Sequence, residues 1–195
     1  MKKKTKYDAN FTAGGIFFNE FSNLRVYTVQ ANFEEIVSND VQANEILAID
    51  VLSSRKRIVS EILRRYQTMS LQFWEFFQNL NEQETKLALF YVCLKTYPIV
   101  FDLHFQVTVQ KYRLGSDLTE YDIQMRLDEL VANSEEVANW SILTIKKINT
   151  QYRKALKDAG LFDGLQLIKP HTINDVFWNY FRENEAVWFL DACFK

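Results

Sequence analysis

Residues 140–162, WSILTIKKINTQYRKALKDAGLF, decide the class of fold. At 100° per residue Ile145, Ile148, Tyr152, Ala155, Leu156 and Ala159 gather on about a third of the circle, an apolar stripe that a strand's period of two would scatter. Lys146, Thr150, Arg153 and Lys157 fall on a different third, and Lys147 and Lys154 extend that side. Ser141 offers an N-cap, and Gly160 ends the run as a C′ residue would. The stretch reads as one amphipathic helix with a cationic face. From Lys146 to Lys157 it holds five positive side chains and no negative one, although the whole chain carries a formal charge of −2. Taking that +5 away leaves −7 on everything else, so positive charge is concentrated here.

Outward from this helix the pattern stays helical. With 5 Gly and 2 Pro in 195 residues, few turns can be built on those types and long runs go uninterrupted. Helical period starts near Ile16 and carries Phe17, Phe18, Phe21, Leu24 and Val29 inward. Short segments at 33–37 and 41–49 follow. Ser53 or Ser54 is placed to cap a helix to about Met69, with Ile58, Ile62, Tyr66 and Met69 on one side and Arg57, Ser60, Glu61 and Arg64 opposite. A helix over 70–79 contains FWEFF. Residues 82–97 and 98–114 read as two apolar helices parted at Tyr97-Pro98, where proline suits a first helical turn. Residues 117–139 hold seven acids and one Arg, a solvated face of charge −6 that would also discourage wrong contacts near a polyanion. GLQLIKP, 164–170, alternates as a short extended wing, and Thr172 can cap a helix to about Arg182.

The expected fold is all-α: a multi-helix bundle with helix-turn-helix-like elements and one short β wing near 164–170. A single domain over 1–195 would comprise a basic leader (1–10), an N-terminal helical lobe (11–80), central helices (81–139) and a winged-helix-like lobe (140–195). The aromatic clusters FWEFF and VFWNYF are read as core, the alternative being an exposed Trp or Phe that docks a partner protein.

Catalysis finds little support. His104 and His171 lie far apart, with no Cys or carboxylate at metal-ligand spacing, and Gly14-Gly15 is too short for a phosphate loop. The expectation is no enzyme, no metal, no cofactor and no small-molecule substrate. Cys93 sits in the apolar run LALFYVCL as a small hydrophobe. The longest apolar runs reach roughly eight residues against the ~20 needed to span a bilayer, so a cytoplasmic protein is expected. A pI near 5.8 argues against wholesale coating of nucleic acid and confines any such contact to a patch.

The cationic helix, followed by Gly and a short extended piece, is how a winged helix-turn-helix presents its reading helix. Thr144, Asn149 and Thr150 are short polar groups suited to phosphates or base edges, and Lys146, Lys147, Arg153, Lys154 and Lys157 would neutralise phosphates. SSRKRIVSEILRR, 53–65, carries five cations against Glu61, for +4, and nominates Arg55, Lys56, Arg57 and Arg64 as a second patch. MKKKTK adds four lysines as a backbone-following arm. The bland alternative is an amphipathic helix whose lysines pair with the acidic helix before it.

YDANFTAGGIFFNEF (7–21), LSSRKRIVSEILRRYQTM (52–69) and NWSILTIKKINTQYRKALKDAGLF (139–162), the last with its spaced Ser141, Thr144 and Lys147, together resemble the BrxA family of the BREX phage-defence systems. Members have long borne the label of inner membrane proteins, which this sequence, without a spanning segment, does not support. The resemblance implies a helical, non-enzymatic, DNA-binding accessory protein, with a fold likened to the antitermination factor NusB. Expected partners are double-stranded DNA and other BREX components. Two competitors stand beside duplex binding: an adaptor whose basic faces meet an acidic protein patch, and an RNA-binding, antitermination-like factor.

Overall fold

The computed structural model describes residues 6–195, so nearly all of the basic arm lies outside the described residues. A 3₁₀ turn at Asn10–Ala13 leads into α1 (Phe18–Leu24) and α2 (Phe33–Ala43). Then come α3 (Leu52–Thr68), α4 (Leu71–Phe77) and α5 (Glu82–Thr96). Next, α6 (Pro98–Leu103) passes through a π-helical turn at His104–Thr108 into α7 (Val109–Arg113). The chain finishes with α8 (Glu120–Asn133), α9 (Glu135–Ala138), α10 (Ile142–Asp158), α11 (Asp175–Glu183) and α12 (Trp188–Ala192). The protein is an all-α, multi-helix bundle.

Helix α5 is its axis. Leu87 to Leu94 are buried without a break, the mark of a helix covered on every side. An Asn81–Glu84 capping box starts it and leaves the second Glu84 oxygen to accept the Asn174 backbone N–H at 3.2 Å, which anchors the approach to α11. Pro98 stops it, because a proline in mid-helix lacks the N–H that the carbonyl four residues earlier needs, and its ring clashes with that carbonyl. The chain then turns by 108° between 82–96 and 98–113. Among the described residues no single helix is long and apolar enough to cross a membrane; this bent pair alone has the length and composition.

Several boundaries differ from expectation. The segments 33–37 and 41–49 become one helix, α2, and a loop. Buried Asp40 shapes that loop by accepting the N–H groups of Glu45, Ile46 and Leu47 at 2.8, 2.9 and 3.0 Å. Helix α3 begins earlier than a serine cap would place it, with Val51 as its N-cap. Its buried side comprises Arg55, Val59, Glu61, Ile62 and Arg65, so Glu61 lies inside rather than opposite the core. Tyr97 explains this: its hydroxyl donates to Glu61 at 2.7 Å and accepts from Arg65 Nε at 2.9 Å. The wing shrinks to a single antiparallel bridge, Phe162 to Leu167. Asp163 accepts the N–H groups of Leu165 and Gln166 at 2.8 Å each, which folds the segment into a tight turn instead of a hairpin. Thr172 takes a left-handed conformation (φ 59°) and is no cap; Asn174 caps α11 through the Val176 N–H at 3.1 Å.

Candidate nucleic-acid interface

The cationic helix forms as its period implies. Ser141 Oγ accepts the Thr144 N–H at 3.1 Å, and Ile145, Ile148, Tyr152, Ala155 and Leu156 are buried. Gly160 supplies the left-handed residue after the last turn (φ 74°). Against expectation Asn149 is buried too. Its amide donates to the Glu120 carbonyl at 3.0 Å and its oxygen accepts from Arg153 Nε at 3.0 Å. It is therefore a seam residue joining α10 to α8, not a polar contact on the surface.

The cations divide into two rows. Lys146, Thr150, Arg153 and Lys157 run along the side toward α8. There Arg153 donates to the Glu120 carboxylate at 2.7 Å, and Lys146 borders a depression with Gln124 and Asp128. Position 153 meets 120 while 146 meets 128, so the acidic and basic helices run antiparallel. In the second row, Gln151, Lys154 and Asp158 face the 3₁₀ turn and α1, and Lys147 continues the row by helical spacing. Lys154 pairs with Asp158 at 2.8 Å. Part of the bland alternative thus holds: two of the five cations are spent on neighbouring carboxylates. Lys146, Lys147 and Lys157 are exposed and form no ion pair among the described residues. Of the two threonines, Thr144 is tied into the cap, its hydroxyl 2.9 Å from that of Ser141. Thr150 is exposed, its hydroxyl donating to the Lys146 carbonyl at 3.0 Å.

The second patch is thinner than its charge count. Arg55 is 8% exposed, its Nε without a hydrogen-bond partner, so it is not a surface contact. A guanidinium on a three-methylene stem can fill an apolar groove that a charge count cannot foresee. Arg64 is half-buried and held by Asp8 in a two-pronged pair at 3.0 and 2.6 Å, which raises its already high pKa further. Lys56 and Arg57 remain exposed, Arg57 donating to Thr12 Oγ1 at 2.7 Å.

That last bond shows how the two helices are related. The 3₁₀ turn carrying Thr12 packs on both α3 and α10. A depression of about 570 Å³ lies where Ile58 of α3, Gly14, Lys86 and Lys154 of α10 come together. Arg57 and Lys154 therefore flank one region, with Lys56 next to Arg57 in sequence and Lys147 two helical turns before Lys154, whereas Lys146 borders α8. Lys86 is a member that sequence reasoning missed. It lies in a run read only as apolar, and its pairing with Glu82 was legible as an i,i+4 spacing.

The fold and this surface define a helical bundle that turns one amphipathic, cationic helix to solvent beside an acidic one. The chain belongs to the BrxA family, whose model matches residues 5–185. It is similar to the BREX protein BrxA of Bacillus cereus (strain H3081.97), 22% identical over 161 residues, which cover 82% of this chain and 80% of that protein. Its fold is shared with the crystal structure of an uncharacterized protein from Magnetospirillum magneticum: TM-score 0.77 at 18% identity, covering 96% of this chain and 98% of the other.

Proposed function

We propose that the chain is a non-enzymatic, DNA-binding component of a BREX phage-defence system, acting in the cytoplasm with other BREX components. Family membership supports the defence role. The observation that carries the DNA reading is the outer face of α10, where Lys146, Lys147 and Lys157 stand exposed and unpaired around Thr150 on a chain that is otherwise acidic. Lysines on a rigid helix neutralise phosphates and release condensed counterions, so affinity would be largely independent of sequence and steep in salt. The short basic edge of α3, Lys56 and Arg57, would extend the footprint across the 3₁₀ turn.

The test is fluorescence anisotropy with labelled duplex at several salt concentrations. Native protein is compared with a Lys146→Glu, Lys147→Glu, Lys157→Glu variant whose circular dichroism is unchanged. Arg153 and Lys154 are left alone because carboxylates already hold them. Removing three phosphate-neutralising charges should make the log–log salt slope shallower by about 3. Native protein that binds no duplex, or a variant that binds with the native slope, refutes the reading. A protein-adaptor role has one observation in its favour, the depression of about 360 Å³ bordered by Val131, Trp140 and Ile142 between α8 and α10.

A further inference from the structure

Leu143 occupies a place on α10 where phosphate binding has no use for an apolar group. It stands nine positions from the fully buried Tyr152, half a turn away at 100° per residue, and so on the midline of the solvent side. Its neighbours on that side are Lys146, Lys147, Thr150, Lys154 and Lys157. The side chain is 77% exposed. A leucine left in water forgoes the stabilisation that burial would bring, and the centre of a solvated face ordinarily carries a polar residue. Ile142, 75% exposed, differs: it borders the depression beside α8 and has an apolar rim to share.

The position along the helix matters as much as the face. Leu143 is the second residue of α10, and the Ser141 cap fixes the turn that carries it. Cα–Cβ bonds tilt toward the N-terminus of a helix, so Leu143 leads while the lysines follow behind it along the next four turns. A helix set in the major groove meets base edges with its first residues and the backbone with its flanking cations. The one apolar feature on that groove floor is the thymine C5-methyl group.

We infer that Leu143 is a base-reading residue: it packs on a thymine methyl in the major groove while Lys146 and Lys147 engage the phosphates on either side. This rests on the duplex-binding reading above. It also changes its consequence, because lysines alone give affinity without sequence preference, whereas Leu143 would favour sites with thymine under the first turn of α10.

The methyl group can be removed without touching the protein. An A·T-rich duplex and its twin with every thymine replaced by uracil keep the same pairing and differ in the C5-methyls. Native protein should bind the uracil duplex about fourfold more weakly for each thymine methyl that Leu143 covers, the equivalent of one buried CH₂. Leu143→Ala, at an exposed site, should fold normally, bind both duplexes alike and keep the native salt slope. Equal binding of both duplexes by native protein, with its salt dependence intact, overturns the inference and leaves DNA binding standing. Discrimination that survives in Leu143→Ala also overturns it, since the methyl is then read elsewhere. Absence of binding to either duplex sinks the duplex reading itself, and the inference with it.

Discussion

Lowering the pH from 7 to 5 should destabilise this protein by about 2 kcal/mol through one side chain, His104. The ring sits fully buried on the π turn. Its Nε2 lies 2.8 Å from the Ala192 carbonyl and its Nδ1 lies 2.9 Å from the Tyr152 hydroxyl. A carbonyl can only accept, so Nε2 carries the proton and Nδ1 accepts from Tyr152; that hydroxyl can in turn accept from Thr108 at 2.6 Å. Burial pushes the imidazole pKa down from 6.5 to about 4, opposed by the Ala192 carbonyl, which favours a protonated donor. The native state thus holds the neutral ring, and the unfolded chain takes up a proton near pH 6.5. This contribution to stability is complete above pH 6.5, falls as pH drops toward about 4, and is flat below that. Each pKa unit is worth about 1.4 kcal/mol; the part lost between pH 7 and 5 is about 2 kcal/mol, or roughly 4–8 °C in Tm for a chain of this size. Urea unfolding at half-unit pH steps measures it, with His104→Gln compared to the parent. Gln lowers stability at every pH, so the informative quantity is the difference in slope. Parallel curves between pH 7 and 5 would refute the assignment.

Two further substitutions probe the frame that presents α10. Asp40→Ala should cost about 2–4 kcal/mol in urea melts, because three backbone N–H groups after α2 lose a shared charged acceptor; Asp40→Asn, which keeps one acceptor oxygen, should recover part of the loss. Gly160→Ala should cost at least about 1 kcal/mol by the same assay, since Gly160 adopts φ 74° and an added methyl would run into the Gln83 amide; an unchanged midpoint would refute both the backbone strain and the clash.

The fold class and the reading of α10 were legible because both rest on period. The six positions assigned to the apolar stripe of α10 are all buried, and the predicted breaks at Pro98 and Gly160 stand. The misplaced polar residues share one cause: polarity was treated as a surface property. Arg55, Glu61, Arg65 and Asn149 are buried, and partners remote in sequence hold three of them there, Tyr97 for Glu61, Tyr97 and Gly15 for Arg65 and Glu120 for Asn149. No local spacing reveals such partners. The wing failed differently. Its alternation is genuine, but the Asp163 carboxylate, held below its ordinary pKa by the Leu165 and Gln166 N–H groups, fixes a turn too tight to extend into a ladder. Leu143 was legible and overlooked: the same wheel that gathered the core places it diametrically opposite Tyr152.

The antiparallel pairing of α8 with α10 bears on how a polyanion would approach. Glu120 and Asp128 are exposed on the side of α8 that meets α10, Glu120 paired with Arg153. At physiological salt a charge is felt over a Debye length of about 8 Å, close to the ~8–10 Å that separates packed helices. A phosphate lying over the α8 side of α10 would therefore meet repulsion from Asp128 that offsets part of the attraction of Lys146. One lying over the far side would meet Lys147 and Lys154 with Lys56 and Arg57 beyond. The acidic helix tilts the favourable approach toward the α3 side, so Lys147→Gln should weaken duplex binding more than Lys146→Gln at low salt. Adding Asp128→Asn should narrow the gap, because it lightens the repulsion beside Lys146. An equal loss from the two single substitutions would place the duplex symmetrically over α10, with α8 exerting no steering influence.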